Sequence, residues 1–307
     1  MSATTTTTAV KAPAGLARVP TAVLFGGVAG FWAMNTVAMR VGGRYVPPLT
    51  IATARSVCGG AVLLVIARRA KADWPRGRSE WTAIARIALL MTGLSTACLF
   101  LAARNAPAGL VSIFSNTMPL FVALFAPILL SEQVSRRAAT GLAVGLCGTV
   151  IVAWRAIEGE IKVVGVVFGL LGALTAALGS VMYKRHALPR LHRIMVVAIQ
   201  LLMSSVVLGI LAAPDDRSHM TFPWQFLVSF VYLSLLGLAL SFVFWSELLS
   251  RASGLQASAV AYLATVLGVL FGAVLLDERL SWAVLVGGVI AIAGVALVQS
   301  APSTPAK

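Results

Sequence analysis

Charge is scarce in this chain: only 11% of its 307 residues are Asp, Glu, Lys or Arg, and just ten are acidic. Set against 59% apolar residues and a mean hydropathy of +0.93, that scarcity excludes an ordinary soluble globule. Cysteine is nearly absent. Cys58, Cys98 and Cys147 each fall inside an apolar run, too widely spaced for a disulfide framework or a zinc or iron–sulfur ligand set, and read as small buried hydrophobes. The three histidines, His186, His192 and His219, lie in polar connections and complete no metal constellation. Neither a nucleophile–base set nor a Walker A sequence occurs, so an enzyme, a bound cofactor and direct ATP-driven work are not expected. No Asp or Glu lies deep within an apolar run, which leaves no strong proton relay in view.

What the chain does have is ten apolar segments, at about 21–40, 48–67, 82–102, 108–130, 138–154, 163–182, 193–212, 225–247, 255–275 and 281–299. Each approximates the roughly 20 residues that a helix needs to cross a hydrocarbon layer about 30 Å thick. An all-α polytopic membrane protein is therefore expected. The threonine-rich residues 1–19 and the short stretch 300–307 read as polar tails. Arg18 before an apolar core could mimic a signal peptide, but nine further segments favour a retained first span.

The 24 Lys and Arg give a formal charge of +14, which in a soluble protein would suggest nucleic acid. Here the basic residues occupy short gaps between apolar runs, where they can meet lipid headgroups, and no nucleic-acid-binding motif accompanies them. Fifteen fall on the side that carries both termini and seven on the other; Arg55 and Arg86 lie within spans. Retention of basic loops in the cytoplasm predicts both termini there.

The chain also repeats itself at an offset of 146 residues, which places Glu132 on Glu278, Gly141 on Gly287 and Gly148 on Gly294. Residues 20–155 and 156–299 then form two units of five helices. An odd number of spans reverses the entry direction of the second unit, so ten helices from two inverted repeats are expected, an arrangement that recurs in secondary transporters. Small-x-x-x-small pairs such as Gly141 and Gly145, Gly165 and Gly169, and Gly268 and Gly272 suit close helix packing.

FWAMNTVAMR at 31–40, PPLTIATAR at 47–55, LAARNAPAGLVSIFSNTMPLFVALFAPILLSEQ at 101–133 and GLQASAVAYLATVLGVLFGAVLLDERL at 254–280 resemble, in order and spacing, the drug/metabolite transporter superfamily. The similarity is to its ten-span, EamA-like branch of metabolite exporters and covers residues 21–299. It implies alternating-access export of small metabolites, amino acids among them, across the cytoplasmic membrane. The chain has Trp32-Ala33-Met34-Asn35 where the family often has Trp-Gly-x-Asn. It also has Thr265 where the family commonly repeats the proline of Pro119.

Candidate pathway residues follow from polar or aromatic chemistry at membrane depth. Trp32 and Asn35 share a helix face, and Arg55 lies deep enough to address a substrate carboxylate or to snorkel. Asn116 and its repeat partner Tyr262 could face the space between the halves or brace helices, and Ser112 could extend that polar face. Tyr183 and Trp245, near span ends, could stack on a solute or anchor at the interface. Pro119 should interrupt its helix, whereas Thr265 can only bend one through a hydroxyl bond to a carbonyl. Glu132 is the candidate for proton coupling, or else for a loop cap or ion pair. A small solute and membrane lipid are the expected partners; oligomeric state is left open. A structural or regulatory membrane protein of the same architecture, without transport, is the alternative.

Overall fold

The computed structural model describes residues 18–105, 108–154, 162–186, 188, 190–276 and 282–301. Glu278 and both tails beyond these limits lie outside the described residues, as does the side chain of Ser112. Each apolar segment is helical: α1 (Thr21–Gly42), α2 (Pro48–Arg69), α3 (Arg78–Ala103), α4 (Ala108–Ser115 and Met118–Leu130) and α5 (Arg136–Ala153). Then come α6 (Val163–Arg185), α7 (Arg193–Leu211), α8 (Trp224–Arg251), α9 (Gly254–Ser258 and Val260–Leu276) and α10 (Trp282–Gln299). Eight of these are long and apolar enough to cross a membrane. The chain is thus an all-α, multi-pass membrane protein. Large apolar side chains on its outside, among them Ile128, Val163, Val274 and Trp282, form the surface that lipid covers.

Local chemistry sets the ends and breaks. Pro48 opens α2 where its missing N–H is not needed, and Oγ of Ser135 accepts the Ala138 N–H at the start of α5. Ser253 and Gln256 form a reciprocal capping box at α9. α4 breaks at Asn116–Thr117, just before Pro119, which occupies the first turn of the restarted helix. Ser131, in the left-handed conformation (φ 55°), ends it. Two helices carry a π-helical stretch, Ala88–Leu94 in α3 and Tyr232–Leu240 in α8.

One end of the bundle gathers both described termini: Arg251 Nη1 donates to the Val19 carbonyl (2.6 Å) and Gln256 Nε2 to that of Ala301 (3.1 Å). At the far end Arg104 pairs with buried Asp215 (2.7 Å), which also accepts from Thr50 Oγ1 (3.1 Å).

Glycine fixes the closest helix contacts. α5 and α10 run antiparallel with backbones touching: a Cβ on Gly141 would meet the Gly294 carbonyl, and one on Gly148 the Gly287 carbonyl and the Ala291 N–H. α2 packs on α7, where Gly60 admits Leu202, and α3 on α6, where Gly179 admits Met91. Ala33, standing where the family often has glycine, is buried, and Gly268 on α9 leaves the space beside its carbonyl. The cysteines depart from expectation. Cys147 is exposed and Cys58 and Cys98 half-buried, because a small thiol is also at home against lipid.

The α5–α10 contact predicts that Gly148→Val, which forces a branched side chain into the Ala291 backbone, lowers stability by at least about 1–3 kcal/mol. Gly26→Ala, where a Cβ meets nothing within 4 Å, should leave the unfolding temperature unchanged or slightly raised. Thermal unfolding of the two variants in the same detergent checks the contrast.

Candidate functional site

Two polar regions lie inside the bundle. The first is the junction of α1, α2 and α8. Asn35 and Arg55 each sit seven residues, about 10 Å, inside the far ends of their helices. In the π-helical stretch of α8 the Gly237 carbonyl accepts both Asn35 Nδ2 (2.8 Å) and Ser241 Oγ (2.7 Å). A side chain at Gly237 would overlap the Asn35 carboxamide, so the contact requires glycine. Within the same stretch Tyr232 donates its hydroxyl to the Phe31 carbonyl (3.2 Å). Asn35 Oδ1 is buried with no hydrogen-bond partner, and so is Arg55 Nε.

One to two turns toward the termini end, Trp32 packs against Trp245 with ring centroids 5.2 Å apart. Trp245 is fully buried and Trp32 half-buried, so this pair belongs to the interior rather than to an interfacial belt. Asn116, at the break of α4, meets Thr265 of α9: Nδ2 donates to Thr265 Oγ1 (2.9 Å), and that hydroxyl lies 3.1 Å from Asn116 Oδ1 and from the Ala261 carbonyl. The hydroxyl-to-carbonyl bond expected of Thr265 is present, within a continuous helix. Tyr262 does not join Asn116. It is fully buried, donates to the Leu142 carbonyl (3.2 Å) and lays its ring on Gly145 of α5.

The second region is the termini end. Glu132 Oε1 pairs with Lys184 Nζ at 2.5 Å, while Oε2 accepts the Gly254 N–H at 2.9 Å. Lys184 also donates to the Ala252 carbonyl (2.6 Å). One ion pair thereby ties the exit of α4, the end of α6 and the turn between α8 and α9. It borders a cavity of about 260 Å³ that is lined also by Arg251, Ser253 and Gln256.

Behind the cavity stands a charge cluster that sequence reasoning missed. Glu247, 3% exposed, pairs with Arg193 (3.1 Å), itself 2% exposed, and with Arg251 (2.6 Å). Arg193 Nη1 further donates to the Ser246 carbonyl (2.8 Å) and Ser250 Oγ (2.7 Å). Tyr183 is buried beside this cluster. Arg193 had the appearance of a loop cation, and Glu247 that of a span-end acid. The available signal was Glu247 four residues before Arg251 in an otherwise apolar helix. A second polar pair also went unread: Gln200 Nε2 donates to Thr92 Oγ1 (2.7 Å) between α7 and the π-helical stretch of α3.

His186 and His192, just outside α6 and α7, are both held below the ordinary histidine range. Burial is the larger cause in each, followed by Arg86 and Arg185 for His186 and by Arg193 for His192. Both are therefore neutral at pH 7, in keeping with His192 Nδ1 accepting the Ile194 N–H. Among the described residues no group of three His, Cys, Asp or Glu could hold a metal ion.

The sequence profile described as "EamA-like transporter family" matches twice, over residues 20–154 and 163–300. The chain is 26% identical over 287 residues to an "Uncharacterized transporter YvbV" of Bacillus subtilis, covering 93% of each. It is 26% identical over 275 residues to a "Probable amino-acid metabolite efflux pump" of Salmonella typhimurium, covering 86% of this chain and 89% of that protein. It is 28% identical over 282 residues to an "Uncharacterized inner membrane transporter YedA" of Escherichia coli K12, covering 90% of each. A solved crystal structure superposes with a TM-score of 0.77 at 21% identity, over 90% of this chain and 95% of that one, and so shares the fold.

The buried cluster generates a stability prediction. Glu247→Leu removes the carboxylate that pairs with buried Arg193 and should cost about 3–5 kcal/mol. The double variant Arg193→Met with Glu247→Leu should recover part of that loss, because the deeply buried cation is gone, while Arg251, which also loses Glu247, is the more exposed partner and keeps its bond to the Val19 carbonyl. Unfolding temperatures of the single and double variants measure both effects.

Proposed function

Because the chain belongs to the EamA-like transporter family, a group of membrane transporters and not of enzymes, we propose that it exports small metabolites across the cytoplasmic membrane by alternating access. Amino acids are the favoured class; one relative carries the name of an amino-acid metabolite efflux pump. The observation that carries the reading is the double family match over residues 20–154 and 163–300, together with the way the two halves meet. Shifting by 146 residues turns the contact of Gly141 with Gly294 into that of Gly287 with Gly148, and both contacts are made. The same shift carries Ala88–Leu94 into residues 234–240, so both π-helical stretches correspond. These correspondences support ten spans in two inverted units, with the basic termini end in the cytoplasm.

In this reading the pathway runs between the units. Trp32, Asn35, Arg55 and Trp245 border it at the α1–α2–α8 side, and Ser112, Asn116 and Thr265 at the α4–α9 crossing. Tyr262 and Tyr183 brace the walls through their buried contacts. The break before Pro119 gives α4 a point of articulation that α9 lacks at Thr265. Glu132 with Lys184 closes the cytoplasmic mouth, and opening the carrier to the cytoplasm separates them. Among the described residues Glu132 is the carboxylate that lines the cavity, so proton coupling is assigned to it.

Counterflow by the purified protein in sealed liposomes tests the proposal, with labelled amino acids, nucleobases, sugars and cationic drugs offered with and without a pH gradient. Saturable flux of one solute class is the expected result. Absence of flux from folded, inserted protein across that panel would overturn it. With Glu132→Gln the flux should persist but lose its response to the gradient; a response equal to wild type would remove Glu132 from the coupling step.

A further inference from the structure

Arg55 lies on one stripe of α2 between Ile51, one turn before it, and Gly59, one turn after. Ile51 reaches Gly42 of α1, where Leu233 of α8 also approaches, and Gly59 leaves room for the Ser234 carbonyl and Ala239. That stripe delivers Arg55 to the same π-helical stretch of α8 on which Asn35 is docked through Gly237. Arg55 Nε is sealed from solvent while the residue as a whole stays partly accessible.

No described residue forms an ion pair or hydrogen bond with this guanidinium. The interior carboxylates are committed elsewhere: Glu247 to Arg193 and Arg251, Asp215 to Arg104, and Glu132 to Lys184. A buried cation without a counter-charge is costly at membrane depth, and the cost is removed by an anion that enters and leaves. Asn35 Oδ1, set against Gly237 of the same stretch, is likewise a buried acceptor without a donor. Its orientation is fixed, because Nδ2 must be the atom that donates to the Gly237 carbonyl.

We propose that Arg55 anchors the carboxylate of the transported solute through its guanidinium fork while Asn35 Oδ1 accepts from the solute's amino group, which makes the cargo a small zwitterion. A guanidinium matches a carboxylate with two parallel hydrogen bonds, which a lysine ammonium cannot reproduce. The assignment rests on the transport reading above and specifies its cargo and two of its contacts.

The test is counterflow in proteoliposomes of wild type, Arg55→Lys and Arg55→Gln, offering labelled L-amino acids and, as competitors, the same amino acids and their carboxamides. For wild type, each carboxamide should compete at least about tenfold more weakly than its parent acid, the loss expected when one charged contact is removed. Arg55→Lys should raise the half-saturating concentration about tenfold with a smaller change in maximal rate. Arg55→Gln should lose saturable amino-acid flux, while Arg86→Gln, exposed on α3, should match wild type.

Equal competition by acid and carboxamide, or wild-type half-saturation in Arg55→Gln, would overturn the anchor. Should thermal unfolding show that Arg55→Gln does not fold, the carboxamide comparison on wild type and the Arg55→Lys shift still decide. Wild-type flux of a sugar, nucleobase or cationic drug without any of an amino acid would sink this assignment and leave the transporter reading standing. No flux of any solute would remove both.

Discussion

In hydrocarbon every backbone amide and carbonyl must find its partner within the protein, and the architecture of this chain follows from that requirement. It makes every described membrane segment a helix. It also turns each departure from α-helical bonding into a place where a side chain intervenes. The Gly237 carbonyl in the π-helical stretch of α8 is taken up by Asn35 and Ser241, and Thr92 in that of α3 by Gln200. At the interruption of α4, Asn116 is held by Thr265 from the neighbouring helix. Several polar residues of the interior therefore sit where the helices are least regular.

Rigid and yielding parts of the bundle separate on the same grounds. α5 and α10 meet backbone to backbone over Gly141, Gly148, Gly287 and Gly294, with little freedom to rearrange. Elsewhere side chains take part in the contact, as with Asn35 on Gly237 and Trp32 on Trp245. The termini end closes through a few charged groups around a cavity of about 260 Å³. An ion pair beside water is held by fewer contacts than a packed glycine seam, so that end is the easier to part.

Much of this was legible in the sequence because membrane crossing is written in length and apolarity. The predicted run 48–67 became Pro48–Arg69, and 163–182 became Val163–Arg185; the polar ends grew because helices continue into the headgroup layer. Pro119 signalled the break in α4, since a missing N–H can be read directly from a residue name. The candidate residues of the α1–α2–α8 junction were visible as polar groups at depth, but their neighbours were not. That Asn35 would rest on Gly237, 202 residues away, depends on how helices pack. The π-helical stretches carry no composition signal, and Glu247 with Arg193 escaped notice because charges at segment ends look alike whether they face water or one another. The cysteines erred in the other direction, since burial in protein and exposure to lipid select the same small apolar side chain.

The pairing of Arg193 with Glu247 also bears on how the protein is made. Arg193 opens α7, and its counter-charge arrives 54 residues later, at the close of α8. At a synthesis rate of about 5–20 residues per second, Arg193 waits roughly 3–11 seconds before Glu247 has been added. During that interval the arginine has to remain at the headgroup layer, where water and phosphate can solvate it. Only when α8 has been threaded back toward the same face can the guanidinium be drawn inward. The ion pair can close only once both helices are present, so it belongs to the hairpin of α7 and α8 and to neither helix alone.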